Sequence, residues 1–568
     1  MSRDIDPTRR DVMLAGAALT LAAGAPAPSS AQTAPAPAPQ AGATVHGTVR
    51  EDISRTGGRA ITDLPIPGVL VSNGRDVVRT DQSGRYSLPV EPGMTIFIVK
   101  PSGFAPPTDL VTHIPLFSHI HEPEGTPASL ELRYPGLVPT GPLPDALDFA
   151  LIRVNEPSRF DVVLLTDPQP ESTAEIEYVR DDVVAGLIGV DAAFGITAGD
   201  LMFDDLSMYS RYNKIIGRIG IPWWSVGGNH DLNYEAPDAR RSRETWKHVF
   251  GAPYYAHEYA DALFIMLDNV DYLGPDPEKP GKAGKYRGFI PADQLAFVAA
   301  LLKETPANRL VVLVMHIPLT TYLGPDEPHQ TTVNRAELLK LLEGRPSVSF
   351  AGHTHSTEHH YLGAADGFPG AEPHHHHVLT AVSGSWWSGP LDHRGIACAD
   401  AYDGSPNGFH VLSIDGTNYT TRFVPAGEPA GKQMRISLEV QTHEDDREIL
   451  RTLTMSELLR SPVTSDQAAS AYLVVNVFDG GPKTVVTCSL DSGPAVTMKK
   501  VNRPDPFVQQ IYARYPETIK PWVKPVPSSH IWSVKLPAGL RPGAYALKVK
   551  AVDEYGREHR DGMVLEVV

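Results

Sequence analysis

Hydrophobic and polar positions fall into three successive patterns along the chain. Over residues 43–135, short runs such as Thr44–Val49, Gly68–Ser72 and Arg85–Val90 are separated by Asn73-Gly74 and Gln82-Ser83-Gly84. Such runs and turns predict hairpin-linked strands of a small β-sandwich. Over residues 146–426, short apolar runs alternate with longer stretches suited to helices, Pro291–Glu304 and Asn334–Glu343 among them. That alternation predicts an α/β unit. From 433 to 568 the β pattern returns in Ala471–Phe478, Lys483–Ser489, Ile531–Lys535 and Gly543–Val552, predicting a second β-sandwich. The proline-rich stretch 502–528 is long for a connection and is expected to pack over the central unit.

Residues 1–42 stand outside these patterns. Arg9-Arg10 precede an uncharged run, Val12–Ala25, too short to cross a bilayer, and a small-residue site, Ser29-Ser30-Ala31, follows. Thr8–Leu14 resembles a twin-arginine export signal, so 1–31 is expected to be a signal peptide and 32–42 a Pro/Ala linker. The expectation is a bacterial periplasmic or secreted protein, handed to the export machinery after folding. No later stretch is apolar enough for a membrane anchor. A chain of 568 residues exceeds one hydrophobic core, and its 52 Pro and 48 Gly favour turns and short strands. The net charge of −17 argues against binding duplex nucleic acid or anionic membranes. A local metal site could still neutralise phosphate. Cys398 and Cys488 cannot build a disulfide framework, and two separate buried thiols are expected ahead of one structural bridge.

Five apolar runs of the central unit end in a residue able to bind a metal. Asp161–Thr166 leads into Asp167-Pro168-Gln169, Ala192–Ala198 into Gly199-Asp200, and Ile221–Val226 into Gly227-Gly228-Asn229-His230-Asp231. Leu310–Met315 leads into His316, and Ser347–Ala351 into Gly352-His353-Thr354-His355. In open α/β sheets, ligands bind beyond the carboxyl ends of strands, where such tips converge. Carboxylates, imidazoles and amides together suit a pair of borderline cations. A glycine before Asp200, Asn229 and His353 is expected to let the backbone turn so that these side chains point inward.

This series resembles the calcineurin-like metallophosphoesterase superfamily over the central half of the chain. The flanking modules resemble the N- and C-terminal domains of one exported bacterial branch, the first of them prealbumin-like. The resemblance implies a central β-sandwich with flanking helices between two all-β sandwiches. It implies one metal on Asp167, Gln169, Asp200 and His355, and a second on Asp200, Asn229, His316 and His353, with Asp200 bridging. His230 would be the catalytic histidine that binds no metal, and Asp231 a candidate to orient it. The family's usual histidine is replaced by Gln169, a harder and weaker ligand. Of two divalent ions, manganese is therefore favoured, with zinc, iron and magnesium open. Phe203 follows Asp200 by three residues, where the related purple acid phosphatases carry an iron-binding tyrosine, so no Fe(III)–tyrosinate centre is expected.

The implied activity is that of a metal-dependent phosphoric ester hydrolase, with diesters ahead of monoesters. A hydroxide bridging the metals would attack while His230 protonates the departing alkoxide. Two alternatives remain: a nucleotide or nucleoside-diphosphate-alcohol pyrophosphatase, where the Asp-x-Gln variant also occurs, and a catalytically silent surface-binding protein. The full ligand set speaks against the latter. Further candidates flank the motifs. Asp204 and Asp205 are both close enough to the second motif to reach the site, although a helix N-terminal cap is the favoured role. Tyr286 and Arg287 could grip phosphate. His374–His377 is read as a polar loop near the site, with His377 facing the cavity and adventitious metal binding as the second possibility. Of Trp386-Trp387, one is expected in the core and one, Trp387, against substrate. Asp403, Asn407 and His410 are assigned to an Asp-Gly-Ser-Pro-Asn-Gly turn.

Overall fold

The computed structural model describes residues 43–55, 63–278, 284–429, 431–440 and 457–568. The expected signal peptide and linker lie outside the described residues. Among the described residues no helix is long and apolar enough to cross a membrane.

The N-terminal strands form two small sheets. Ala43–Glu51 pairs antiparallel with Arg85–Val90, whose alternating exposed and buried positions put Tyr86, Leu88 and Val90 inside. The second sheet runs Val77–Arg79, Leu70–Ser72, Thr95–Val99, Ser118–Ile120. Phe149–Arg153, which the sequence pattern placed at the start of the central unit, pairs parallel with Ala43–Glu51 and completes the first sheet instead. Its Phe149 and Leu151 are buried, which ties this strand to the N-terminal core.

The central unit consists of two packed sheets. The first has the order Trp223–Val226, Phe194–Ala198, Arg159–Leu165, Gly408–Asp415, Asn418–Pro425. Its first three strands are parallel. The second has the order Tyr255–Tyr259, Ala262–Met266, Leu310–Val314, Ser347–Ala351, His374–Val378, Glu358–Leu362. The four strands from Ala262–Met266 to His374–Val378 are parallel. Leu310–Val314 shows why: five successive apolar residues, all buried, suit a strand covered on both faces. Val162, Leu164, Ile196, Phe264, Val312 and Phe350 share the core between the sheets. The expected helices form as Ala292–Glu304 and Arg335–Leu341, with Pro291 and Asn334 just before their first turns. Parallel pairing brings the five ligand-bearing tips to one edge of this sandwich.

The C-terminal sandwich packs a five-stranded sheet against a four-stranded one around Leu473, Val475, Trp532, Val549 and Leu565. Within the proline-rich stretch, the helix Pro506–Arg514 is capped by Asp505, which accepts from the backbone N–H groups of Phe507 and Val508. This stretch lies on the central unit. The Tyr512 hydroxyl donates to the Asp400 carbonyl at 3.0 Å, and Lys520 pairs with Glu171 and Glu175.

Candidate metal centre

Each ligand residue stands just past the end of a strand, and the backbone there is unusual. Asp167, Gln169, Asp200, His353 and His355 all have positive φ, between 35° and 74°. Such left-handed geometry in a non-glycine residue costs about 1–3 kcal/mol and persists only where the surroundings hold it. The glycines act differently from the sequence expectation. Only Gly199 has a positive φ, of 94°. Gly228 and Gly352 are needed for space: a Cβ on Gly228 would lie 2.0 Å from Asp200 Oδ1, and one on Gly352 1.8 Å from Thr166 Oγ1.

Hydrogen bonds fix the ligands from behind. The backbone N–H of His353 donates to Asp167 Oδ2 at 2.9 Å, and that of His230 to Asp200 Oδ1 at 2.8 Å. His316 Nδ1 lies 3.0 Å from the Ala198 carbonyl and His355 Nδ1 2.5 Å from that of Gly384. Each ring thus donates from Nδ1 and aims Nε2 into the cage; on His316 that nitrogen carries a proton, held by Asp200, that a metal would replace. His353 pairs Nε2 with the His329 carbonyl at 2.9 Å, which leaves Nδ1 as its free nitrogen. Trp386 stacks on His355 with ring centroids 3.8 Å apart, and Tyr402 stacks on Trp386.

The seven expected ligands converge. His316 Nε2 is 3.1 Å from both Asp200 Oδ2 and Asn229 Oδ1, and ligand atoms of Asp200, His316 and His353 lie within 4.8 Å of one another. On the other side of Asp200, the Gln169 amide donates to Oδ2 at 2.6 Å, and His355 Nε2 is 3.6 Å from Asp167 Oδ1. Asp200 therefore touches both halves of the set. Two buried atoms here, Gln169 Oε1 and His355 Nε2, have no hydrogen-bond partner. Leaving such atoms unpaired is costly, and a divalent cation would satisfy both. The donor set thus fits the expected pair of metals.

The electrostatics are those of a buried cage. Burial raises Asp167, with Asp200 adding to the effect, and the carboxyl reaches about 7. Burial would raise Asp200 too, but His316 and His230 outweigh it and hold that carboxyl well below its usual range. Burial lowers His353 and His355 to about 3, so both are neutral donors at any physiological pH. For His230, burial opposes the charge, but Asp200 and Asp204 outweigh it and lift the imidazole to about 9.

Several flanking residues stand elsewhere than the sequence suggested. Asp231 does not hydrogen-bond to His230. Its carboxylate accepts from the N–H groups of Gly228, Leu201 and Met202 and from the Tyr209 hydroxyl, tying the ligand loops together. The partner of His230 is Asp204, whose Oδ1 lies 2.6 Å from Nδ1 and also accepts from Tyr234 O–H at 2.6 Å. The cap of the next helical turn is Asp205, which accepts from Ser207 N–H. Tyr286 sits edge-on to His353 at 6.2 Å, whereas Arg287 turns to Asp271 at 2.7 Å. Adjacent strand positions face opposite ways, so only one of the two can reach the site. Trp387 is buried and donates Nε1–H to the Pro168 carbonyl; Trp386 is the one that meets a ligand. His377 is fully buried in a strand, in contact with His359, His410 and Asp479 and not with the cage.

The sequence reading missed an aromatic wall from the C-terminal sandwich. Phe203 stacks on His230 at 4.7 Å and on Trp522 at 5.6 Å, and Trp522 is 47% exposed. Lys520 Nζ lies 5.7 Å from the centre of the Phe203 ring.

Fold and cage together define a metal-dependent phosphoesterase architecture. Three family profiles match the chain: calcineurin-like phosphoesterase over residues 161–357, its N-terminal domain over 54–133, and its C-terminal domain over 376–559. The chain belongs to the calcineurin-like phosphoesterase family. A probable cyclic nucleotide phosphodiesterase of Rhodopseudomonas palustris is 23% identical over 223 residues, 38% of this chain and 66% of that protein. The chain thus spans just under two thirds of that curated relative. Among solved structures, a dimetal phosphatase from Danio rerio is 15% identical, with a TM-score of 0.30, covering 46% of this chain and 98% of that one. A purple acid phosphatase from yellow lupin is 12% identical, with a TM-score of 0.34, covering 67% of this chain and 66% of that one.

Proposed function

We propose that the chain is an exported hydrolase of phosphate esters that prefers diesters and works with two divalent metals, manganese favoured. The observation that carries this reading is the closed cage of Asp167, Gln169, Asp200, Asn229, His316, His353 and His355, with two buried donor atoms left unpaired beside a His–Asp pair. Bound there, the cations would supply Lewis acidity toward phosphoryl oxygens and a nucleophile at neutral pH.

The protein's own groups do the rest. Asp204 holds His230 Nδ1, so the remaining nitrogen, Nε2, is free to protonate a leaving alkoxide, a role worth about 10²–10⁴-fold. Phe203 and Tyr234 keep that pair in place through stacking and the second hydrogen bond to Asp204. Trp522, stacked beyond Phe203 and half-exposed, offers an apolar surface for the non-phosphate part of a substrate. The preference for diesters rests on charge. Arg287 and Lys520 are already paired, with Asp271 and with Glu171 and Glu175. With their charges so paired, only the metals and His230 remain to meet the phosphate, which favours the single charge of a diester. The relative's assignment as a phosphodiesterase agrees with this.

The test is hydrolysis of bis-p-nitrophenyl phosphate and p-nitrophenyl phosphate by chelated protein, before and after Mn²⁺ is restored. We expect activity only with metal, and a higher kcat/KM for the diester. Undiminished activity of the metal-free protein would overturn the metal reading, and a monoester preference the diester one. Retention of the full-length chain in the cytoplasm when Arg9 and Arg10 are both changed to Lys tests the export.

A further inference from the structure

A second group of metal-type ligands lies where the central unit meets the C-terminal sandwich. His359 and His377 are direct cross-strand partners, so their side chains share one face, with ring centroids 4.0 Å apart. His410 comes from the other sheet and meets His377 edge-on at 4.9 Å. Asp479, just past the strand Ala471–Val477 of the C-terminal sandwich, reaches across to them. Its Oδ1 lies 3.1 Å from His359 Nε2, 3.0 Å from His377 Nε2 and 3.4 Å from His410 Nε2. The three imidazoles are fully buried.

Hydrogen bonding alone accounts poorly for this arrangement. A carboxylate oxygen offers two lone-pair directions, and here three imidazole nitrogens crowd onto one oxygen. The spacing instead suits a shared cation. With zinc–nitrogen and zinc–oxygen distances of ~2.0–2.2 Å, the edge of a tetrahedral ligand set is about 3.3 Å. The donor atoms of His359, His377 and Asp479 already lie within 4.8 Å of one another; His410 Nε2, 3.4 Å from Asp479 Oδ1, stands outside that trio and would move inward as the fourth ligand. The outer nitrogens of two rings are held as metal-binding histidines usually are. His359 Nδ1 is 2.9 Å from His375 Nε2, the other nitrogen of that ring, Nδ1, is 3.0 Å from the Tyr419 hydroxyl, and His377 Nδ1 is 3.4 Å from Thr421 Oγ1.

We propose that His359, His377, His410 and Asp479 form a third, structural metal site of the zinc class, joining both central sheets to the C-terminal sandwich. Four protein ligands leave no open position, which marks a structural rather than a catalytic ion. Three of the four, His377, His410 and Asp479, lie within the stretch that matches the family's C-terminal domain.

The experiment is anomalous diffraction at the zinc edge on crystals of the full chain grown with Zn²⁺, with metal content measured in parallel on Asp200→Asn and on Asp200→Asn/Asp479→Asn. We expect a peak between the four side chains. The single variant should retain about one tightly held zinc per chain after mild chelation, and the double variant should lose it. No density between these residues in the zinc-loaded crystal overturns the proposal, whether or not the double variant folds. So does equal zinc retention by two folded variants.

Discussion

Replacing Asp204 by asparagine tests the proton-transfer reading most directly. Asparagine keeps the shape and tolerates the left-handed backbone of this position, φ 65°, so the change removes charge with little else. The lost interaction is a short contact of 2.6 Å between Asp204 Oδ1 and His230 Nδ1. Charge-assisted hydrogen bonds contribute about 1.5–3 kcal/mol. The Asp204 side chain is 35% exposed, so water screens it and the lower half of that range applies. At about 1.4 kcal/mol per decade, kcat should fall ~10–40-fold. The assay compares a diester with an alkyl leaving group and one with p-nitrophenolate at saturating Mn²⁺. The alkoxide needs the proton far more than the nitrophenolate, so the loss should be concentrated on the alkyl ester. In a His230→Asn background the same change should cost nothing further, because the two residues act as one unit. Equal losses on both leaving groups, or additive losses in the double variant, would refute the assignment. Metal content must stay at the parental level throughout.

Three further outcomes follow from the geometry. Gly228→Ala puts a Cβ 2.0 Å from Asp200 Oδ1 and 2.3 Å from its backbone nitrogen, so activity should fall at least 100-fold with metal content while circular dichroism is unchanged; a metal-replete, active variant would show that the loop gives way. Chelation should speed amide exchange over residues 166–170, 199–204 and 352–356, where the metals help to hold strained backbone, and equal protection with and without metal would contradict that. In the C-terminal sandwich, burial would raise the Asp553 carboxyl, but His559 and Arg557 outweigh it and hold it at about 2. Its folded pKa lies below the unfolded one, so this stabilisation is complete above about pH 4 and is lost as pH falls toward 2. After allowance for the exposed Arg557 it amounts to about 1 kcal/mol, and Asp553→Asn should flatten the acid limb of a tryptophan-fluorescence melt by that much.

The sequence exposed what lay at strand ends and hid what lay between chain segments. Apolar runs stopping at Asp167, Asp200, Asn229, His316 and His353 were legible because a buried parallel strand must be apolar and its tip need not be. The partner of His230 was not. Asp231 adjoins it in sequence, yet Asp231 turns inward to Gly228 and Leu201, and the contact comes from Asp204, 26 residues upstream. Nothing local marks that choice, which goes with a left-handed turn at Asp204. The run His374–His377 hid its nature in another way. A strand is recognised by alternating residue types, and four identical residues show no alternation. In the structure His374 and His376 turn to Ser347 and Ser349, while His375 and His377 turn to His359. Trp522 reaches Phe203 from more than 300 residues away, a contact for which no local pattern exists.

Backbone strain separates the two sets of ligands. Five of the seven residues of the Asp200 cage have positive φ, and none of His359, His377, His410 and Asp479 does. At about 1 kcal/mol or more for each strained residue, the cage would relax if only the metals held it. It is held by more than that. His353 N–H and Thr166 Oγ1 bond to Asp167, His230 N–H bonds to Asp200, and the Asp231 carboxylate gathers three backbone N–H groups from two loops. These bonds use no metal. The cage should therefore keep its general shape when emptied, which is the condition for orienting a substrate without reorganising on each turnover. At the domain junction His359, His377 and His410 lie in regular strands and Asp479 just past one, and none of the four has a positive φ. An ion there would add attachment between domains and leave the chemistry to the strained edge of the sandwich.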